Sequence, residues 1–241
     1  EGPVTRVHRT LPLYLANKSW SRYSPLYILG FMTMFSVIIT GIIGINTGFP
    51  LPADVRENMR YNGGALYAPP GFLVSVGVLA MNRNFAMALA LGSTRKDLWR
   101  GTSLGFLLTS SLVGVGAVLA LGLERLTNHW FIGARAFDVQ FLGEGDVLRT
   151  FITMFLLSIL SLYVGAFFGT VFRAYGTVWT AIAAILVTVG LLALVALAVW
   201  QSTRVSQVWD SLGAWLLLNL AAALALLAAS GSYAVNRRAL V

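Results

Sequence analysis

Long uncharged apolar runs alternate with short charged segments along this chain of 241 residues. A helix that crosses a bilayer needs about 20 mainly apolar residues, and six runs are close to that length. The pattern predicts an all-α polytopic membrane protein, with residues 1–241 forming a single transmembrane domain of six spans. The predicted spans cover residues 26–45, 64–83, 102–123, 150–172, 177–200 and 211–233.

Three of the segments outside these spans carry specific expectations. Residues 11–23 mix basic side chains with Leu, Tyr and Trp, which is typical of an interfacial helix in the headgroup layer; a disordered basic tail is the alternative. Residues 84–100 are predicted to be cytoplasmic. Residues 124–149 are predicted to be extracellular, with their aromatic side chains at the membrane surface.

Arg83 interrupts the second apolar run. A charge at the middle of a bilayer is unfavourable by about 3 kcal/mol or more. Arg83 therefore either faces a polar cavity within a longer span or marks the cytoplasmic edge, with a helical extension after it.

Composition agrees with a membrane location. The chain is 57% hydrophobic and 11% charged, whereas soluble domains carry about 25% charged residues. The absence of cysteine excludes disulfides and thiolate metal sites. The formal net charge is +8, but the basic residues stand at the ends of apolar runs. Membrane topology explains this charge better than nucleic-acid binding does, so no nucleic-acid partner is expected.

The distribution of basic residues predicts the orientation. Six spans place both termini on one side, which carries ten of the Lys and Arg residues against six on the other, with Arg83 not assigned. Because cytoplasmic loops carry the excess of Lys and Arg, both termini are expected to be cytoplasmic.

Candidate chemistry is sparse. The only two histidines, His8 and His129, fall on opposite sides of the predicted membrane. No predicted span contains a carboxylate, which argues against a proton- or sodium-coupled carrier. The chain also lacks the G-x-x-x-x-G-K-[ST] phosphate loop, through which ATP is commonly bound. No catalytic residue, cofactor or metal site is therefore predicted, and the chain is not expected to be an enzyme.

The segment between the second and third spans is the exception. Ser93 or Thr94 can cap a helix, and Asp97 stands near a capping-box spacing. Leu98 and Trp99 then offer an apolar plug beside basic residues, which suits docking in a groove of a cytosolic partner. The alternative is a basic stop signal that only sets topology.

Residues 85–101 read FAMALALGSTRKDLWRG. They resemble the G-x-T-R segment between spans 2 and 3 of ABC-2 type transporter permeases. The resemblance implies a connector helix at residues 11–23, a first coupling helix at residues 92–99 and a second ATPase contact at residues 173–176. The partner-binding residues that it implies are Gly92, Ser93, Thr94, Arg95, Lys96, Asp97, Leu98, Trp99, Arg173 and Tyr175.

The resemblance also implies an assembly. Two permeases, identical or related, would join two ABC ATP-binding subunits in a bacterial inner or plasma membrane, surrounded by lipid. ATP and Mg would bind the partner subunits, and this chain would form the path for a hydrophobic or amphipathic substrate. The alternatives are an ATP-independent channel or carrier, and a structural or signalling membrane protein.

Overall fold

The computed structural model describes residues 23–61, 68–90, 94–201 and 214–238, and these ranges are helical with no β-strand among them. The main helices are α1 (Ser24–Thr47), α2 (Ala53–Asn58), α3 (Ala68–Ala90), α4 (Arg95–Leu126), α5 (Val147–Trp200) and α6 (Ala214–Arg238). Short 3-10 helices cover Met59–Tyr61 and Gln140–Leu142, and His129–Gly133 forms a turn with non-helical backbone angles at Trp130 and Phe131. The predicted connector at residues 11–23 lies, apart from Tyr23, outside the described residues.

Four segments within the described ranges are long and apolar enough to cross a membrane. They are Ser24–Thr47, Arg95–Leu126, Val147–Gly190 and Leu218–Asn236, while the apolar part of α3, Pro69–Asn82, is shorter. These helices fit a multi-pass membrane protein.

The outer surface of the helices is also apolar. Large side chains that remain well exposed include Ile45 at 80%, Leu119 at 65% and Trp200 at 81%. Soluble monomers rarely expose apolar surface on this scale, whereas lipid solvates it without cost.

Prolines and glycines set the ends of the first helices. Pro25 occupies the first turn of α1, and Gly48 follows its last residue with a φ of 89°. Pro69 and Pro70 lie in the first turn of α3, where the missing amide donors have no helical acceptor.

The most extensive helix contacts join α3 with α5, followed by α5 with α6 and α4 with α5. Gly165 and Gly169 of α5, a small-xxx-small pair in the sequence, lie on the α3 interface. A Cβ on Gly165 would overlap the Val74 carbonyl oxygen, and one on Gly169 would come within 2.9 Å of the Val78 carbonyl oxygen. The two backbones therefore touch, which only small residues permit.

Helix α5 is broken once. Gly176 has φ 80° and ψ −173°, which is not helical, whereas Arg173 and Tyr175 lie within the helix. A straight helix of 54 residues would be about 81 Å long, far more than the bilayer core of about 30 Å. The connection predicted at residues 173–176 is thus a single-residue break.

Helix α4 differs from the expectation of a short coupling helix followed by a separate span. It runs without interruption for 32 residues, from Arg95 to Leu126. Its two ends define the two ends of the bundle, called here the Arg95 end and the Glu124 end. The coupling segment is therefore the first turn of a long helix.

The stretch predicted to lie on the membrane surface, residues 124–149, is packed against the Glu124 end of the bundle. Residues 134–139 are all buried, and Phe137 is completely so. Only some of its aromatic side chains face outward, including Phe131 and Phe141. Its aromatic residues are divided because the chain must bury its own polar backbone as well as meet the membrane.

Candidate functional site

The Arg95 end opens with a capped helix. Thr94 is the N-cap of α4: its Oγ1 accepts a hydrogen bond from the Asp97 backbone N at 3.2 Å and donates one to Asp97 Oδ2 at 2.6 Å. Asp97 also places a negative charge in the first turn, where the helix dipole favours it. Thr94 is thus one of the two cap residues proposed from the sequence, and the other, Ser93, lies with Gly92 outside the described residues.

The two segments expected to contact a partner meet at this end through hydrogen bonds. Arg173 of α5 donates from Nη1 to the Met81 carbonyl oxygen of α3 at 2.9 Å. Its Nη2 donates to Asn236 Oδ1 of α6 at 2.9 Å. Asn236 Nδ2 in turn donates to the Arg95 carbonyl oxygen at 3.1 Å. Four helices are therefore joined by one arginine and one asparagine, called here the Arg173–Asn236 junction.

Leu98 and Trp99 do not point outward as the sequence interpretation expected. Leu98 is 1% exposed, and Trp99 is half-buried against the core of this same chain. The Trp99 ring lies 5.1 Å from that of Tyr233 and 6.5 Å from that of Tyr163. Burying these apolar side chains fixes the start of α4 to α5 and α6, so they hold the helix in place.

The side chains that do face outward at this end are mainly polar or basic. Thr94, Lys96 and Arg100 are exposed, and Tyr175, beside the Gly176 break, is 50% exposed. Asp97 is buried. The exposed charge at the start of α4 is therefore positive, and a protein that docks there needs an acidic or anionic surface.

Sequence reasoning missed Asn236, Tyr163 and Tyr233. Asn236 stands before two arginines near the end of the sequence, outside the last predicted span, residues 211–233. A signal was present, because an amide among apolar residues of a membrane helix usually bonds to another helix. Its partners could not have been named from the sequence.

The Glu124 end carries a second polar cluster. The Glu124 side chain is fully buried, and its carboxylate accepts hydrogen bonds from three successive backbone N–H groups. The donors are Ala136 at 3.1 Å, Phe137 at 2.8 Å and Asp138 at 3.2 Å. A buried carboxylate that is satisfied in this way anchors the loop to the end of α4.

Asp138 is the centre of the charged contacts around this anchor. Its Oδ2 lies 2.9 Å from Arg135 Nη1 and 3.0 Å from His129 Nε2, and its Oδ1 lies 4.0 Å from Arg125. Burial alone would raise the pKa of Asp138, but the His129 hydrogen bond and the two arginines outweigh it and lower that pKa below its usual value. Asp138 therefore stays ionised and holds the cluster together.

The described residues contain no group of three His, Cys, Asp or Glu side chains that could hold a metal ion. The Arg95 end combines the Arg173–Asn236 junction, a capped helix and exposed positive charge. No family model, curated protein or solved structure matches this chain.

Proposed function

We propose that this chain is the permease subunit of an ATP-driven exporter of the ABC-2 type. It would assemble with a second permease and two ATP-binding subunits in a bacterial inner or plasma membrane. The Arg95 end would face the cytoplasm, and the chain would cross the membrane six times. The substrate would be hydrophobic or amphipathic, because the predicted spans are almost uncharged.

The observation that carries this proposal is the meeting of two distant segments. The resemblance assigns the contact with the ATPase to the start of α4 and to the residues around Arg173. These segments are far apart in the sequence, yet Asn236 bonds to both of them. A force applied to either segment would therefore reach α3, α4, α5 and α6 together.

The continuity of α4 gives that force a direction. A helix of 32 residues is about 48 Å long, so α4 links the Arg95 end to the loop anchored by Glu124. In the proposed cycle, ATP closes the partner subunits, their movement pushes the start of α4, and the helix shifts as a rigid element. Leu98 and Trp99 would hold the start of α4 against the bundle, while Lys96 and Arg100 would contact the ATP-binding subunit.

Charge reversal on the exposed face is the test. We expect Lys96→Glu and Arg100→Glu each to lower transport-coupled ATP hydrolysis by at least about tenfold, because each replaces an attractive charge at a docking surface by a repulsive one. The measurement uses the chain purified with its ATPase and reconstituted in liposomes. Arg60→Glu is the matched control, since Arg60 is equally exposed but lies in the segment between α1 and α3, away from the start of α4.

Three results would count against the proposal. Recovery of the chain from native membranes without a Walker-type ATPase would mean that it has no ATP-binding partner. Flux through the chain alone in liposomes would favour an ATP-independent channel or carrier instead. Absence of both flux and an ATPase partner would favour a structural or signalling protein.

A further inference from the structure

A cavity of about 410 Å³ opens at the Glu124 end of the bundle. It lies between the turn that follows α1 and the turn that follows α4. The residues that give it its chemistry are Phe49, Leu51 and Arg56 on one wall and His129, Phe131 and Gly133 on the other. Its volume is within the range of small-molecule sites, about 300–1,000 Å³.

The lining combines positive charge with aromatic surface. Arg56 and His129 are its ionisable groups, and none of the described residues that line it is acidic. Arg56 Nη2 donates to the Leu51 carbonyl oxygen at 3.3 Å, which holds one terminal nitrogen of the guanidinium and leaves its other donors for a ligand. Phe49 is 53% exposed and Phe131 is 83% exposed, so both rings are accessible to a ligand.

The wall after α4 is held in a fixed but unusual conformation. Four successive residues without glycine among them, 128–131, have φ values of 50°, 58°, 57° and 64°, each of which is unfavourable for an L-residue. Thr127 stabilises the turn, because its carbonyl oxygen accepts from Phe131 N at 2.9 Å and its Oγ1 accepts from Trp130 N at 3.2 Å. Such strain is commonly found at ligand clamps.

Gly133 closes the cavity against the opposite wall. It has a φ of 82°, and a Cβ placed there would lie 3.4 Å from Leu51 Cδ1 and 3.9 Å from Arg56 Cγ. The two walls therefore approach each other closely at Gly133.

Positive charge near the cavity is only partly neutralised. Burial lowers the pKa of Arg135, and repulsion by the charges of Arg60 and Arg56 lowers it further, whereas attraction by Asp138 and Glu124 raises it. The Asp138 and Glu124 carboxylates are occupied by bonds within the loop, and Asp54 and Glu57, which flank Arg56 in the sequence, are exposed and do not line the cavity. An anion beside Arg56 would relieve this repulsion.

We propose that this cavity binds an amphipathic anion. A phosphate, sulfate or carboxylate group would bond to Arg56 beside His129, and the apolar part would lie between Phe49 and Phe131. The proposal rests on the cavity and does not depend on the chain being an exporter subunit. The ligand could be a lipid of the surrounding bilayer or a soluble amphiphile, since both offer the same chemistry.

Calorimetric titration of the chain in phosphatidylcholine nanodiscs with octyl phosphate tests the proposal, with empty nanodiscs as the blank. We expect saturable binding that Arg56→Gln weakens about tenfold, the value of one charge-assisted hydrogen bond. Arg56→Lys keeps the charge and should retain binding within about threefold. Arg60→Gln, which removes a neighbouring charge that does not line the cavity, should change binding by about twofold or less.

The apolar half of the proposal has its own pair of variants. Phe131→Ala should weaken octyl phosphate binding about tenfold by removing buried apolar area, while leaving the weak binding of inorganic phosphate unchanged. Phe141→Ala, which removes another exposed ring of the same loop that does not line the cavity, should have no effect.

Three outcomes would overturn the proposal: no saturable binding by the wild-type chain, equal affinity for inorganic and octyl phosphate, or equal losses in Arg56→Gln and Arg60→Gln. Thermal unfolding of each variant shows whether it is folded, and the Arg56→Lys rescue separates ligand contact from a structural role.

The source of the ligand is settled by a second arm. In nanodiscs that contain phosphatidylglycerol, native mass spectrometry counts the lipid retained by the wild-type chain and by Arg56→Gln. The ligand is a bilayer lipid if the wild-type chain retains phosphatidylglycerol, Arg56→Gln does not, and phosphatidylglycerol competes with octyl phosphate for binding. Octyl phosphate binding that phosphatidylglycerol leaves unchanged identifies a soluble amphiphile, and either result supports the proposed chemistry.

Discussion

At the scale of single residues, several polar side chains of this chain form hydrogen bonds with backbone groups at helix ends, on neighbouring helices and in the loop after α4. Thr94 accepts from the first turn of α4, Arg173 donates to a carbonyl of α3, and Asn236 donates to the first carbonyl of α4. Glu124 does the same for three amides of the loop. In an apolar environment an unpaired backbone group is expensive, so the Thr94 and Glu124 bonds stabilise the start of α4 and the loop after it, while the Arg173 and Asn236 bonds join neighbouring helices.

The Thr94 cap could be predicted because it is local: donor and acceptor are three residues apart. The Glu124 anchor could not be predicted, since its donors lie 12 to 14 residues further along. Nothing in the loop sequence indicates that its amides converge on one point.

Glu124→Gln tests the anchor. The amide keeps one acceptor oxygen but turns an NH₂ group toward backbone donors, leaving at least one buried N–H without an acceptor. We expect a loss of about 1–3 kcal/mol in the free energy of unfolding, measured by chemical unfolding in detergent. Glu144→Gln, an exposed position in the same loop, should leave stability unchanged. Similar stability of the two variants would mean that the three hydrogen bonds contribute little.

At the scale of helices, α4 joins two segments that were interpreted separately from the sequence. The charged start of α4 predicts a docking element and its apolar middle predicts a span, but the backbone passes from one to the other without a break. The first turn of α4 continues into the apolar segment because Leu98 and Trp99 pack on neighbouring helices and fix that turn to the bundle.

Close packing of α3 on α5 is the second feature at this scale, and Gly165→Ala tests it. The new methyl group would overlap the Val74 carbonyl oxygen, so the helices must separate. We expect a loss of about 1–3 kcal/mol, as for other overpacked sites, in chemical unfolding of the detergent-solubilised chain. The control is Gly190→Ala in the same helix, where no atom lies within 4 Å of the new group. Equal free energies of unfolding for Gly165→Ala and Gly190→Ala would show that the α3–α5 interface accommodates the extra methyl group without loss of stability.

At the scale of the whole molecule, the number of membrane crossings depends on Gly176. The described helices provide four segments of sufficient length and hydropathy, and six crossings require that the chain reverses at Gly176 and that α3 also spans. Glycine is suited to such a reversal, because its φ of 80° is strained for any other residue.

Single-cysteine labelling tests this topology in a chain that has no cysteine of its own. Lys96→Cys, Tyr175→Cys, Phe141→Cys and Gln201→Cys are each treated with a membrane-impermeant maleimide in right-side-out and inverted vesicles. Six crossings predict that Lys96→Cys and Tyr175→Cys react from the cytoplasmic side, and Phe141→Cys and Gln201→Cys from the other side. Reaction of Gln201→Cys on the same side as Lys96→Cys would exclude the reversal.

The sequence alone determined the class of this protein and the approximate position of its helices, because apolar runs, prolines and glycines act over one or two turns. It also narrowed the cap of α4 to Ser93 or Thr94. Only the tertiary structure decided that Leu98 and Trp99 face inward, that Asn236 joins Arg173 to the start of α4, and that Glu124 gathers the loop. Those contacts depend on which helices become neighbours, and hydropathy does not encode that choice.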